Sequence, residues 1–236
     1  VAGAKDILIS AEYLMDQALE GFLRETLVET LWIEYHSAFL SCSPEAFLER
    51  LHELSAHFGC IPISGDLDLL TLALESENPP PVIALKGAEA AGFVSRETTG
   101  VLYATLREML SHRALKPELI IWGGVATPEA AAAFLCSGAR GIVFESLHWQ
   151  TDLVSVSPKL RQRLSGLRPE HTAVAGHNLG VPCRFFDKGN SLAVKELKQF
   201  AASLMECGDS DQERSAFARK VKDTVIPTLE SDLSRQ

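Results

Sequence analysis

The sequence predicts an α/β fold, a TIM barrel of the (β/α)8 type, from three observations. Short apolar runs that suit strands covered on both faces recur along the chain, and segments with helical apolar spacing lie between them. This repeated order favours a mostly parallel sheet with right-handed crossovers, either closed as a barrel or open and doubly wound. Each apolar run also ends in polar or small residues, which a barrel gathers on the face that carries catalysis.

The predicted strands and helices alternate along the chain. The strands are 31–36, 61–64, 81–86, 119–122 and 141–145, and the helices between them are 44–58, 66–76, 97–113 and 128–137. The first of these helices follows a Ser-Pro-Glu start, which is typical of a helix amino terminus, and its apolar side chains recur at helical spacing: Phe47, Leu48, Leu51, Leu54 and Phe58.

The stretch 119–145 is the clearest βαβ unit. Its first strand is followed by Gly123-Gly124, where the backbone can turn with almost no side-chain bulk. Thr127 is expected to cap the next helix, and Gly138 is expected to end it in the left-handed conformation. In barrels, a glycine turn of this kind and the tip of the following strand commonly face each other around a phosphate. The unit therefore predicts an anion site, although any parallel α/β domain can contain such a unit.

Fewer than eight strands are predicted. If 5–10 is an earlier strand and 141–145 is the last one, about two of the eight strands of a TIM barrel are missing at the amino end. The chain starts at Val1 without an initiating methionine, so we expect it to be a piece of a longer polypeptide. The missing strands are expected in sequence outside the chain or in another chain. The alternative is a barrel that closes in a different way.

Two regions are predicted. Residues 1–147 form the partial barrel, and residues 148–236 form a mostly helical carboxyl-terminal extension packed on it. The extension is expected to contain helices at 157–167 and 191–205 and a last helix from 212 to 223, with short extended runs at 172–176 and 181–186.

Composition excludes several classes of function. A net charge of −9 argues against a nucleic-acid or anionic-membrane surface. No apolar run approaches the length that spans a bilayer, and the first residues lack the features of a signal peptide, so the chain is expected to be cytoplasmic. The five cysteines are widely spaced and odd in number, which suits neither a disulfide framework nor a Cys-x-x-Cys metal site. The seven histidines include no ligand pair, so no metal site is predicted.

A second glycine-containing loop follows the strand 81–86 and reads Gly87, Ala88, Glu89, Ala90, Ala91, Gly92 and Phe93. Together with Gly123-Gly124 and Gly138-Ala-Arg-Gly141 at the following two strands, it resembles the nitronate monooxygenase and flavin-dependent enoyl reductase family, formerly the 2-nitropropane dioxygenases. That family's loop reads Gly-x-Glu-Ala-Gly-Gly-His. The resemblance covers roughly residues 30–147.

The resemblance implies a TIM barrel that binds FMN, with NAD(P)H as an electron donor. It implies cofactor contacts at Gly87, Gly92, Gly123, Gly124 and Ser146. In two places the chain departs from the family pattern. Phe93 stands where the family has a histidine beside the flavin, and Glu145-Ser146 stands where the family tends to have Gly-Thr or Gly-Ser around the phosphate.

A phenylalanine cannot transfer a proton, so nitronate monooxygenase chemistry of the usual kind is not expected. These features look similar to the flavin-barrel domains of bacterial polyketide and polyunsaturated fatty acid synthases, which the resemblance classes as enoyl reductases. Reduction of an enoyl thioester needs a hydride for the β-carbon and a proton donor for the α-carbon. By position, His36, Lys86 and Glu89 are the catalytic candidates, although Lys86 and Glu89 could simply pair across the loop. An acyl carrier protein or other synthase domains would be the partners, and a homodimer is one option.

Two other interpretations remain open. A non-catalytic descendant of the flavin barrel, with a structural or interaction role in such a synthase, would explain Phe93 and Glu145. A different phosphate-binding barrel, such as a sugar-phosphate isomerase or aldolase, could use Lys86 to form a Schiff base.

Overall fold

The computed structural model describes residues 5–35, 43–90, 92–145, 151, 155–175, 182–187 and 192–205. The chain divides into two compact units. The barrel unit comprises residues 1–90 and 94–147, and the second unit comprises residues 91–93 and 148–236.

The strands and helices among the described residues are as follows. The strands are β1 (Asp6–Ser10), β2 (Thr30–Glu34), β3 (Gly59–Ser64), β4 (Val82–Lys86), β5 (Gly92–Phe93), β6 (Glu118–Trp122), β7 (Gly141–Val143), β8 (Thr172–Ala175) and β9 (Cys183–Phe186). The helices are α1 (Gln17–Arg24), α2 (Pro44–Ser55), α3 (Leu67–Glu75), α4 (Thr99–Ser111), α5 (Pro128–Cys136), α6 (Pro158–Ser165) and α7 (Leu192–Met205).

The barrel unit contains one parallel sheet in the order β1-β2-β3-β4-β6-β7. Its spatial order follows the chain order without reversal, whereas an open doubly wound sheet reverses at a switch point. The unit therefore has the winding of a TIM-type (β/α) barrel, with six consecutive strands present, which confirms the predicted fold class. All six predicted strands are present, although β2 ends at Glu34 and β7 at Val143, two residues before the predicted ends.

Side chains in the loops determine where the helices of the barrel unit begin. Asp16 accepts a hydrogen bond from the amide of Ala18 at 2.8 Å and so caps α1. Ser43, Asp66, Thr98 and Thr127 cap the following four helices in the same way. Each cap satisfies an amide that has no partner within its helix. The predicted cap at Thr127 is confirmed, and so is the left-handed turn at Gly138, where φ is +103°.

The core lies between the sheet and its helices. Alternate strand residues are fully buried on the helix side, among them Leu31 and Ile33 of β2 and Ile83 and Leu85 of β4. Because successive strand side chains point to opposite faces, the residues between them line the inner face of the sheet. That face carries half-buried Trp32 and the charged ends of β2 and β4.

The second unit contains an antiparallel sheet in the order β5-β9-β8 together with α6 and α7. The extended runs and the two helices predicted here are confirmed. Strand β5 was not predicted, because two residues in a glycine loop show no apolar periodicity. The predicted helix 212–223 lies outside the described residues, and the prediction of an extension packed on the barrel remains a prediction. Over the described ranges, no helix has the length and apolarity to cross a membrane, and no group of acidic, histidine and cysteine side chains could hold a metal ion.

Candidate active site

Three charged side chains meet at the carboxyl ends of the barrel strands. Glu34 is the last residue of β2, Lys86 is the last residue of β4, and Glu145 follows β7. The register pairs Glu34 with Ile63, and Ile63 with Ala84, which lies on the same face as Lys86. These side chains therefore share the inner face of the sheet, at the end where barrel enzymes carry their active sites.

Lys86 forms the centre of this cluster. Its Nζ atom lies 2.7 Å from Oε1 of Glu34, to which it donates a hydrogen bond, and 3.8 Å from Oε1 of Glu145. The Lys86 side chain is 10% exposed, and the two carboxylates are 22% and 19% exposed. A charge removed from water to this extent needs a paired partner. The cluster therefore holds a largely buried ammonium group between two carboxylates.

Two tryptophans form an apolar wall beside the cluster. The ring of Trp122 lies 5.6 Å from the Lys86 Nζ, and its indole Nε1 donates a hydrogen bond of 2.5 Å to Oε1 of Glu145. Trp32 packs edge-on against Trp122, with the ring centroids 6.2 Å apart. The negative face of an indole attracts a cation, so Trp122 helps to hold both charges of the Lys86–Glu145 pair.

Glu89 has a different role from the one suggested by the sequence. Its Oε2 accepts hydrogen bonds from the Thr99 amide at 2.9 Å and from the Thr99 hydroxyl at 3.1 Å. Thr99 is the first residue of α4, so the carboxylate satisfies a free amide at the positive end of that helix. The alternative of a Glu89–Lys86 pair across the loop is wrong, because Lys86 pairs with Glu34 and Glu145.

Gly87 provides space for the same helix. A Cβ atom built on Gly87 would lie 1.9 Å from the Thr99 hydroxyl oxygen and 2.4 Å from the Thr99 amide nitrogen. Only glycine lets the loop after β4 approach the first turn of α4 so closely. Packing therefore accounts for Gly87, and its predicted contact with a cofactor remains a prediction.

The glycine turn after β6 has the backbone that the sequence predicts. Gly123 and Gly124 adopt φ values of +95° and +73°, where other residues are strained. A Cβ on Gly123 would lie 2.8 Å from the amide nitrogen of Ala90, so Gly123 admits the loop after β4, whereas Gly124 is exposed. Within the described ranges, no hydrogen bond starts at either glycine amide. These two N–H groups are available to an acceptor.

The other predicted site residues are in different places. His36 and Ser146 lie outside the described residues. Gly92 belongs to the second unit, where its φ is +66° and a Cβ would meet nothing within 4 Å. Nothing in the geometry therefore tests these three as catalytic or cofactor-binding residues.

Sequence analysis missed Glu34, the partner nearest to Lys86. The alternation of β2 contains the signal: Leu31 and Ile33 are the apolar positions that a helix-covered face requires, so Trp32 and Glu34 must lie on the opposite face. Trp122 could have been placed on that face by the same reasoning, since Leu119 and Ile121 of β6 are buried. The pairing itself joins residues 52 positions apart and has no signature in a single sequence.

The cluster presents a hydrogen-bond donor and a positive charge. An ion-paired ammonium is a donor, and it has no lone pair with which to attack a carbonyl carbon. The arrangement therefore favours acid chemistry or charge stabilisation over covalent catalysis by Lys86.

Comparison with known proteins shows similarity in structure alone. No protein-family model matches the sequence, and no curated protein matches it significantly. The chain is similar to the structure of FabK from Thermotoga maritima, with a TM-score of 0.61 and 15% identity over 92% of this chain and 62% of that chain. A variant of the same FabK gives a TM-score of 0.61 at 18% identity, over 85% of this chain and 60% of the other.

The enoyl reductase domain of MlnA, from the macrolactin biosynthesis cluster of Bacillus amyloliquefaciens, gives a TM-score of 0.54 and 16% identity. That match covers 98% of this chain and 64% of the domain. The chain thus spans about three fifths of the length of these proteins. At this level of identity the similarity shows the fold: an α/β barrel of the kind found in FabK and in the MlnA domain.

Proposed function

We propose that the chain is the flavin-barrel part of an enoyl reductase that acts on acyl thioesters in a polyketide or fatty acid synthase system. One observation carries the proposal: a buried, ion-paired ammonium lies at the carboxyl end of a barrel strand, beside an apolar tryptophan wall. A proton donor in such a position suits the reduction of a conjugated thioester. The barrel fold and the resemblance of the loop after β4 to the flavin enzymes support the same function.

The glycine turn after β6 fits the phosphate of FMN. The amides of Gly123 and Gly124 make no hydrogen bond among the described residues, and Gly124 is exposed. Backbone N–H groups of this kind bind phosphate at the start of a helix, and α5 begins four residues further on. Glu145 follows the neighbouring strand, and Lys86 offsets part of its negative charge.

The bound flavin would supply the hydride for the β-carbon of the thioester. Lys86 donates a proton from Nζ to the α-carbon, where a new C–H bond forms. The neutral amine of Lys86 then regains a proton from water. Glu34 orients Nζ through the 2.7 Å hydrogen bond, and Trp122 keeps Glu145 in place. Trp32 and Trp122 keep water away from the apolar part of the acyl chain.

Titration with FMN tests the proposal. We expect saturable binding with quenching of tryptophan fluorescence, and we expect Gly124→Asp to abolish it by placing a carboxylate at the phosphate. Asp tolerates the left-handed backbone better than most residues, so the variant should still fold. Gly124→Asn is the matched control, because it places a side chain of the same size on the same left-handed backbone without the negative charge. Absence of binding to the wild-type chain at high micromolar FMN would overturn the proposal that this chain binds a flavin.

A single-turnover assay tests the role of Lys86. Photoreduced FMN and a crotonyl thioester are mixed without oxygen in D2O, and the saturated product is analysed for deuterium at the α-carbon. Lys86→Met should slow reduction at least tenfold when FMN is saturating. It should also weaken FMN binding, because it leaves the charge of Glu145 beside the phosphate without its cation. An unchanged rate would assign proton donation to another group.

A non-catalytic descendant of the flavin barrel is the second candidate. Glu145 at the strand tip and Phe93 at the position of the family's histidine favour it. A chain that folds but binds neither FMN nor an acyl thioester would support this structural role. The enoyl reductase proposal includes four further expectations: the use of NAD(P)H, an acyl carrier protein partner, a homodimer and a cytoplasmic location.

A further inference from the structure

We propose that a groove between α2 and α3 is a docking site for a basic, amphipathic segment of a partner protein. The groove has a volume of about 400 Å3, and the connection from α3 to β4, which contains Pro79, Pro80 and Pro81, closes one side of it. This volume accommodates more than one large apolar side chain. The inference is independent of the proposed reductase activity.

The floor of the groove is apolar. Leu51 and Cys60 are buried, and Leu48 packs against the same core cluster from a partly buried position. The prolines add apolar rings to the floor, and each proline has a fixed φ and no backbone N–H group. The floor is therefore preformed, and a partner that buries an apolar side chain in it loses little free energy to ordering the groove.

The rim of the groove is acidic. Four exposed glutamates, Glu45, Glu49, Glu75 and Glu77, line it, and His52 is the only basic residue among the lining residues described. Arg113 reaches one of these carboxylates, Glu75, at 3.6 Å and is directed mainly to the carbonyl of Leu74. A hydrogen bond from Ser43 holds the pKa of Glu45 below its usual value. At neutral pH the rim therefore carries a concentrated negative charge around an apolar floor.

This distribution of charge and apolar surface identifies the class of partner. An apolar anchor flanked by Lys or Arg side chains matches both the floor and the rim, since complementary charge guides association and fixes the register. A second copy of this chain carries a net charge of −9, so its surface as a whole is repelled by the rim. Its basic helix α6 is the alternative occupant, which sedimentation tests. The occupant in this inference is a basic segment of a different protein.

The groove lies at the opposite end of the strands from Lys86. Cys60 is near the start of β3, and Pro81 directly precedes β4, whereas Lys86 ends β4. The five residues of β4 span roughly 16 Å at the usual rise per strand residue. A segment bound in the groove would leave the candidate active site free.

Fluorescence anisotropy with a labelled peptide of Leu and Lys in helical spacing tests the inference on the full chain. The groove variant combines Glu45→Gln, Glu49→Gln, Glu75→Gln and Glu77→Gln. A control of equal charge combines Glu25→Gln, Glu97→Gln, Glu108→Gln and Glu129→Gln, all exposed positions outside the groove. A second peptide, with Ser in place of Leu, tests the apolar floor. Unfolding curves of both variants confirm that each remains folded.

We expect the groove variant to weaken binding of the Leu/Lys peptide at least tenfold and the control less than twofold. We expect the Ser/Lys peptide to bind at least tenfold more weakly than the Leu/Lys peptide. Equal losses of peptide affinity in the two variants would show that binding depends only on general charge attraction, and this result would overturn the inference. Failure of the wild-type chain to bind the Leu/Lys peptide would also overturn it. Sedimentation that shows a dimer dispersed by the groove variant would assign the groove to self-association instead.

Discussion

Replacing Lys86 by methionine is the most informative single perturbation of the barrel unit. Methionine retains much of the length and apolar character of lysine and removes only the ammonium group. The substitution leaves two carboxylates, 22% and 19% exposed, without their shared cation. Because removal of one member of a buried ion pair exposes the full desolvation cost of the other, the folded state should lose stability.

The distances determine the size of the effect. At an effective dielectric constant of about 20, a pair of charges 2.7 Å apart attracts by about 6 kcal/mol and a pair 3.8 Å apart by about 4 kcal/mol. Desolvation of the ammonium offsets most of this attraction, and loss of one buried partner costs about 3 to 5 kcal/mol in practice. The cluster keeps some exposure to solvent, so we expect a loss of about 3 kcal/mol in the free energy of unfolding.

Urea unfolding followed by tryptophan fluorescence measures this loss. Trp32 and Trp122 lie beside the cluster, so their emission reports on this part of the barrel. With a typical dependence on denaturant, the midpoint should fall by about 1 M urea. Lys5→Met is the matched control, because its pair with Glu29 is 2.6 Å long but more than 60% exposed, and it should leave the midpoint unchanged.

The double variant Lys86→Met with Glu34→Met distinguishes an unpaired charge from lost packing. The double variant also removes the Glu34 carboxylate, which is the carboxylate nearer to the lost ammonium. It should therefore be more stable than Lys86→Met alone by at least about 1 kcal/mol. Two results would refute this reasoning: a Lys86→Met chain within about 0.5 kcal/mol of the wild type, or a double variant that loses the sum of the two single losses.

Three further predictions concern packing and the thiols. Gly87→Ala should destabilise the chain by about 2 kcal/mol or more, because its Cβ would lie 1.9 Å from the Thr99 hydroxyl. Gly100→Ala, in open space on α4, should not destabilise it in the same urea assay and should raise its stability by up to about 1 kcal/mol. Burial raises the pKa of the Cys60 thiol to about 11, so at pH 8 peptide mapping should find iodoacetamide on exposed Cys136 well before Cys60. The raised pKa of Cys60 stabilises the fold below pH 9, and this contribution of up to about 3 kcal/mol is lost between pH 9 and 11 as the unfolded thiol ionises first. Cys60→Ala should remove that part of the alkaline loss, and an unchanged pH profile would contradict it.

The barrel could be predicted from the sequence because its signals are local. Each strand is a short apolar run, and each loop ends in a capping residue such as Ser43 or Thr127. The parallel order then follows from the alternation of strands and helices. Strand β5 could not be predicted, because it exists only through its pairing with β9, more than 80 residues further along the chain.

The site was predicted less completely, because its contacts are between distant residues. Lys86 was a candidate by position, and the structure places it at the centre of the cluster. The sequence suggested Glu89 as its partner because the two are three residues apart, but the pleat of β4 directs Lys86 to the inner face, and Glu89 reaches the start of α4 instead. Glu34 joins Lys86 across β3, and only the assembled sheet brings them together.

The glycines of the two loops have different reasons to be present, and the difference decides how a flavin site should be tested. Gly87 and Gly123 admit neighbouring backbone, since a Cβ at either would lie within 3 Å of Thr99 or Ala90. A substitution at these two positions would disturb the fold whether or not a cofactor binds. At Gly124 the nearest neighbour of a built Cβ is 3.4 Å away, which is an ordinary contact, and its amide is available to an acceptor. Loss of FMN binding in Gly124→Asp but not in Gly124→Asn, which shares its left-handed backbone and its size, would therefore report on charge at the phosphate site. The same loss at Gly87 would report only on the fold.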